Sequence, residues 1–143
     1  MARITKRAVL PIASALLLLS APSAQAATLE LDSATGIGST ASCQAYVSSS
    51  AGDACYHAYG DYFYLSGFGT STRVAVYWKL GDGSRHGIIR WKPTDQYTKG
   101  VMNKNLPEGK QVGIRFGVCY AGSGCDQVSD IQFLTGTDWT STS

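Results

Sequence analysis

The sequence predicts an all-β protein: a single antiparallel β-sandwich, immunoglobulin-like or jelly-roll-like, behind a cleaved signal peptide. Three observations predict it. Valine, isoleucine and tyrosine recur in short alternating runs cut by glycine, the period of a half-buried strand. Beyond the leader no stretch shows convincing helical periodicity. Four cysteines follow an export-type leader, and small exported domains use disulfides where their core is modest.

The leader comes first. Met1–Arg7 carries Arg3, Lys6 and Arg7, and Ala8–Leu19 is apolar with the run Leu16–Leu19. Ala24-Gln25-Ala26 fits the small-x-small rule of signal peptidase. The apolar run falls short of the roughly 20 residues a spanning helix needs, so cleavage is expected rather than anchoring. No twin-arginine pair is present, which favours the general secretory route. Residues 1–26 therefore read as signal peptide and 27–143 as one secreted β domain. Cleavage removes three of the 12 basic residues and none of the 10 acidic ones, taking the net charge from +2 to −1. A near-neutral mature chain argues against nucleic acid and anionic membrane as partners. At 15% charged and 44% hydrophobic residues the composition is that of a folded chain.

Thr28–Asp32 is expected as a strand, Ala34–Thr40 as a Gly/Ser-rich loop, Cys43–Val47 as a strand and Ser48–Gly52 as a second loop. Cys55–Leu65 reads as a hairpin about a Gly60-Asp61 turn, pairing Tyr59 with Tyr62, Ala58 with Phe63 and Tyr56 with Leu65. That register puts Tyr56, Ala58, Phe63 and Leu65 inside, and His57, Tyr59, Tyr62 and Tyr64 outside. The clearest hairpin is Arg73–Leu80 with Ser84–Trp91. A type I′ turn at Asp82-Gly83 would set Trp78 opposite Gly87, Val76 opposite Ile89 and Val74 opposite Trp91. Val101–Asn103 is expected as a strand. Leu106-Pro107-Glu108-Gly109 is a turn leading into Gln111–Tyr120, whose apolar face is Val112, Ile114, Phe116 and Val118. Val128–Leu134 is expected as the last strand, and the tail is expected to fray after Trp139. The tally is roughly eight strands. Trp78, Val76, Ile89, Phe63, Leu65, Val112, Ile114 and Phe116 are the expected core.

An even cysteine count in an exported chain reads as two disulfides, with three pairings open. The local pairing is preferred. The glycine-rich middle of Cys119-Tyr-Ala-Gly-Ser-Gly-Cys125 can double back, leaving Cys43 with Cys55 across a serine-rich loop. Neither pair has the close spacing of a zinc knuckle, so no metal is expected.

Ala54-Cys-Tyr-His-Ala-Tyr-Gly-Asp-Tyr-Phe-Tyr-Leu65, with Leu106-Pro-Glu-Gly109 followed by Val112-Gly-Ile-Arg-Phe-Gly-Val-Cys119, resembles small exported two-disulfide proteins of streptomycete-like actinobacteria. The similarity runs from about Cys43 to Cys125. It implies a small secreted β-sandwich and a late cysteine pair around a short loop, Cys119 with Cys125. It implies no activity, because that family has no established function. The turn followed by a strand ending Val118-Cys119 is also loosely similar to immunoglobulin-like domains, a likeness of fold alone.

Catalytic chemistry finds little to use. The two histidines are His57, near Asp61, and His86, beside the Asp82-Gly83 turn. No serine sits in a Gly-x-Ser-x-Gly elbow. The two glutamates, Glu30 and Glu108, are far apart, and the aspartates lie in turns where backbone reasons explain them. No EF-hand spacing or phosphate-binding glycine loop occurs. No catalytic residue, cofactor or metal is therefore expected. The unusual feature is tyrosine: Tyr56, Tyr59, Tyr62 and Tyr64 fall within nine residues. Cross-strand packing explains such a cluster. Outward rings beside His57 would instead form a binding surface, which makes His57, Tyr59, Tyr62 and Tyr64 the candidate site. The expected function is a secreted, non-catalytic binding protein, a monomer whose partner is an extracellular protein or carbohydrate. The alternative is an inhibitor of an extracellular hydrolase, inserting the loop Tyr120–Gly124. A small hydrolase ranks last.

Overall fold

The computed structural model describes residues 26–37, 41–69 and 71–143. The expected signal peptide, Ala26 excepted, lies outside the described residues. So do residues 38–40 of the first expected loop.

Eleven strands among the described residues form two packed sheets. In the first, β1 (Leu29–Ser33), β7 (His86–Trp91), β6 (Val74–Leu80) and β9 (Gln111–Cys119) lie side by side. The far edge of β9 carries β10 (Ile131–Phe133) on one half of its length and β11 (Asp138–Ser141) on the other. The second sheet runs β2 (Thr35–Ile37), β8 (Lys99–Asn103), β5 (Tyr62–Gly67), β4 (Gly52–His57) and β3 (Ala45–Ser49). The sandwich, its two disulfides and its β class are as expected. All eight expected core residues are fully buried. Each such large side chain contributes roughly 1.5–3 kcal/mol by leaving water.

The register of β6 with β7 is also as expected, with Trp78 against Gly87, Val76 against Ile89 and Val74 against Trp91. Steric fit sets it: a Cβ on Gly87 would lie 2.8 Å from Trp78 Nε1 and 2.6 Å from the Glu30 carbonyl oxygen. The turn is not type I′. That turn needs positive φ at both central residues, and of Asp82 and Gly83 only Gly83 has it. Asp82 Oδ1 instead accepts hydrogen bonds from Ser84 N–H at 2.9 Å and Ser84 Oγ at 2.7 Å. The loop widens to Gly81–Ser84, closed by Leu80 N–H on the Arg85 carbonyl, and the pairing is unchanged.

The tyrosine hairpin is corrected by two residues. Tyr56 faces Phe63, not Leu65, and His57 faces Tyr62. The wider loop lets Asp61, at φ 54°, turn its carboxylate inward. There it accepts from Tyr56 Oη at 2.5 Å and Leu106 N–H at 2.7 Å. Because side chains alternate with period two, a slip of two leaves both faces as expected.

Other elements differ more. The expected first strand is β1, and it pairs with β7 in parallel. Its apolar residues face outward and its acids inward. Glu30 takes a two-toothed hydrogen bond from Arg85 at 2.7 and 3.0 Å. The nearly buried Lys104 ammonium lies 2.7 Å from Glu30 and 2.6 Å from Asp32. Arg85, and after it Lys104, hold the Glu30 carboxyl at about 2 against the opposing effect of burial. Charge pointing inward on an edge strand discourages pairing with another chain. The chain then changes sheets at Ala34, and Thr35–Ile37, expected as loop, pairs with β8. In the second expected loop only Ser50 and Ala51 lie outside strands. The expected last strand, Val128–Leu134, divides into a 3-10 turn (Val128–Asp130) and β10. The tail does not fray: β11 docks on β9, and Thr142 is buried with its hydroxyl donating to the Pro107 carbonyl at 2.8 Å.

Candidate functional site

Alternation along β4 and β5 sends Tyr56, Phe63 and Leu65 into the core and His57, Tyr62 and Tyr64 to the outer face of the second sheet. Pairing extends this face over four strands. One row reads Tyr46, Cys55, Tyr64, Val101, and the next reads His57, Tyr62, Asn103. The Tyr62 and Tyr64 rings stand 6.2 Å apart with their planes 31° from parallel. Gly60 makes room for the first, since a Cβ there would lie 2.7 Å from the Tyr62 ring. Tyr59 sits in the adjoining loop, 82% exposed. Its carbonyl lies 2.7 Å from His57 Nδ1. A carbonyl only accepts, so that nitrogen carries the proton. The structure thus brings together His57, Tyr62 and Tyr64, with Tyr59 at their margin. It adds Tyr46, 51% exposed, whose hydroxyl lies 3.3 Å from Asp53. The alternation Ala45, Tyr46, Val47 was the signal that could have found it. The Cys43–Cys55 disulfide lies between Tyr46 and Tyr64, and Cys119 joins Cys125.

No acid–base pair forms from the expected candidates. Asp61 turns inward to Tyr56, and the His57 ring is bonded to the Tyr59 carbonyl. Burial first, then the hydrogen bond and charge of Asp61, push the Tyr56 phenol far above its ordinary value. His86 lies against the Tyr77 ring at 6.2 Å. Among the described residues no group of three His, Cys, Asp or Glu side chains could hold a metal ion.

The first sheet carries an aromatic outer face that sequence reasoning missed. Tyr77 lies between His86 and Phe133, the latter edge-on at 6.2 Å. Burial raises the Tyr77 phenol above its ordinary value. Arg115 covers the Phe133 ring at 4.0 Å, and Lys79 lies 5.4 Å from the Trp139 ring. Alternation alone sends Tyr77 outward. Phe133 and Trp139 join it only because β10 and β11 both dock on β9.

The loop Tyr120–Gly124 closes on itself, with Ser123 N–H donating to the Tyr120 carbonyl at 2.9 Å. Arg73 and Arg90 donate to the Gly124 carbonyl at 3.2 and 3.0 Å. A folded turn offers little of the extended backbone that strand-type recognition uses. No family model, curated protein or solved structure matches this chain.

Proposed function

We propose that this is a secreted, non-catalytic binding protein that takes carbohydrate on the outer face of its second sheet. One observation carries the reading: Tyr62 and Tyr64 lie side by side on β5, 6.2 Å apart and only 31° from parallel, in a sheet pinned by a disulfide. Such rings offer a flat apolar surface with hydroxyl edges, and the C–H face of a sugar ring complements it. The neighbours on the face are mostly polar, with Val101 the aliphatic exception in the two tyrosine rows. A protein hot spot is more often an anchor sunk in a desolvated pocket. Two disulfides fit an oxidising compartment, and the leader supplies the route. No helix among the described residues is long and apolar enough to cross a membrane.

The test is retention of the mature protein on a panel of insoluble polysaccharides and peptidoglycan. Tyr62→Ala and Tyr64→Ala should each weaken retention about 5- to 150-fold, the equivalent of roughly 1–3 kcal/mol per ring. Their unfolding midpoints should stay near that of the parent. Equal retention of parent and variants, or no retention on any member of the panel, removes the proposal.

A further inference from the structure

Two adjoining clefts, of about 390 and 420 Å³, open at the end of the first sheet, and both are lined by Arg73 and Lys92. The pairing of Val74 with Trp91 sets these two cations opposite each other at the open end of the β6–β7 hairpin. Arg90, two residues before Lys92 and so on the same face, lines the second cleft. Like charges placed opposite on neighbouring strands destabilise a sheet, so this arrangement needs a reason.

Internal neutralisation does not supply one. Among the described residues the only carboxylate lining either cleft is Asp126, and its ion pair is with Arg90. No carboxylate among them pairs with Arg73 or Lys92. Arg73 is oriented instead by an uncharged acceptor, which Arg90 shares alongside its pair with Asp126. Both donate to the Gly124 carbonyl, and Arg90 Nε also donates to Ser33 Oγ at 3.1 Å. A guanidinium has five N–H donors, and Arg73 spends one of them on Gly124. The rest remain for a ligand, held in a fork that matches two oxygens of one anion. Thr72 and Ser123 line the first cleft and add hydroxyl groups. The Cys119–Cys125 bridge anchors the loop that presents Gly124.

We infer that this cleft binds an oxyanion group, phosphate or carboxylate, between Arg73 and Lys92. The site is independent of the tyrosine face, which lies on the other sheet, and each can fail alone. Inorganic phosphate and glucuronate are the two probes, titrated into the mature protein and followed by backbone amide chemical shifts. The expected result is saturable movement at residues 71–73, 90–92 and 120–125, with at least one probe. Preference between the probes tells whether the anion is a phosphate or a sugar carboxylate. Lys92→Gln removes an exposed charge and should keep the fold. It should weaken binding by about 10-fold, as loss of one charge-assisted contact does. Arg73→Gln should weaken it at least as much. Lys79→Gln, on the same sheet but outside the cleft, should change nothing. Shifts that stay linear in both probes, that map elsewhere, or that Lys92→Gln leaves at the parent midpoint overturn the inference.

Discussion

Tyr56 shows how a polar atom is carried in this core. Its hydroxyl donates to Asp61 Oδ1, and its phenol is raised by burial and by that carboxylate. The folded chain therefore holds the proton after the unfolded chain has begun to release it. Stability from this group is complete below about pH 10, the ordinary tyrosine value, and falls as pH rises above it. Tyr56→Phe should reduce that alkaline loss. It should also cost about 1–3 kcal/mol at neutral pH, because Asp61 keeps only the Leu106 N–H. Urea unfolding at neutral and alkaline pH reads both effects, and an unchanged alkaline limb would discount them. Glu30 has the opposite sign. Its folded value of about 2 lies below the ordinary 4.5. Its contribution is present above about pH 4.5 and is lost as pH falls towards 2. Glu30→Gln should flatten the acid limb of the stability curve in that window, measured as unfolding free energy against pH.

Among the elements, the β6–β7 hairpin is the one whose register follows from its own residues. An indole needs a glycine across from it, and only one alignment supplies Gly87 to Trp78. Gly87→Ala would bring its Cβ against the Glu30 backbone carbonyl as well as the indole. It should destabilise by about 1–3 kcal/mol or more, as overpacking does, with the loss seen as a lower unfolding midpoint. The tyrosine hairpin was legible only modulo two residues. Alternation assigns faces, whereas the length of a loop depends on where Asp61 finds its partners, and Leu106 is 45 residues away. β1 was legible as a strand but not in direction or facing. Leu29 and Leu31 are the large apolar residues of this strand. They face outward because Arg85 and Lys104 draw Glu30 and Asp32 in. The C-terminal tail is expected to fray after Trp139, yet Asp138–Ser141 forms β11. It docks because Trp139 covers Gly113, where a Cβ would lie 2.9 Å from its ring.

At the scale of the whole molecule the two bridges act locally and on different regions. No Lys or Arg lies between Cys43 and Cys55 or between Cys119 and Cys125. Each bridge should therefore remain within its own tryptic peptide under non-reducing conditions. A cross-link between the two peptides would contradict the pairing. Closing loops of 12 and 6 residues' separation should contribute about 2–3 kcal/mol each through the unfolded state. The regions served are distinct. Replacing Cys119 and Cys125 together by serine should release the Gly124 carbonyl and abolish saturable phosphate or glucuronate shifts. The same variant should keep any polysaccharide retention, because Cys43–Cys55 and the tyrosine face lie on the other sheet. Loss of both activities at once, with the fold intact by circular dichroism, would mean that the two surfaces are one site.

The residue order by itself determined the β class, the inner and outer faces of β4 to β7 and β9, and so the outward placement of His57, Tyr62 and Tyr64, and it favoured the local disulfides that the structure contains. These follow from rules of short range: alternation with period two, steric fit across one hairpin, and the reach of a glycine-rich loop. Only the tertiary structure decided that β1 runs parallel to β7, that β2 crosses to the other sheet, and that β10 and β11 share one edge of β9. It alone placed Phe133 and Trp139 on the outer face with Tyr77 and set the Gly124 carbonyl between Arg73 and Arg90. Those arrangements rest on charge pairs and contacts between residues tens of positions apart. Their energies depend on which strands become neighbours, and no local pattern of residues encodes that choice.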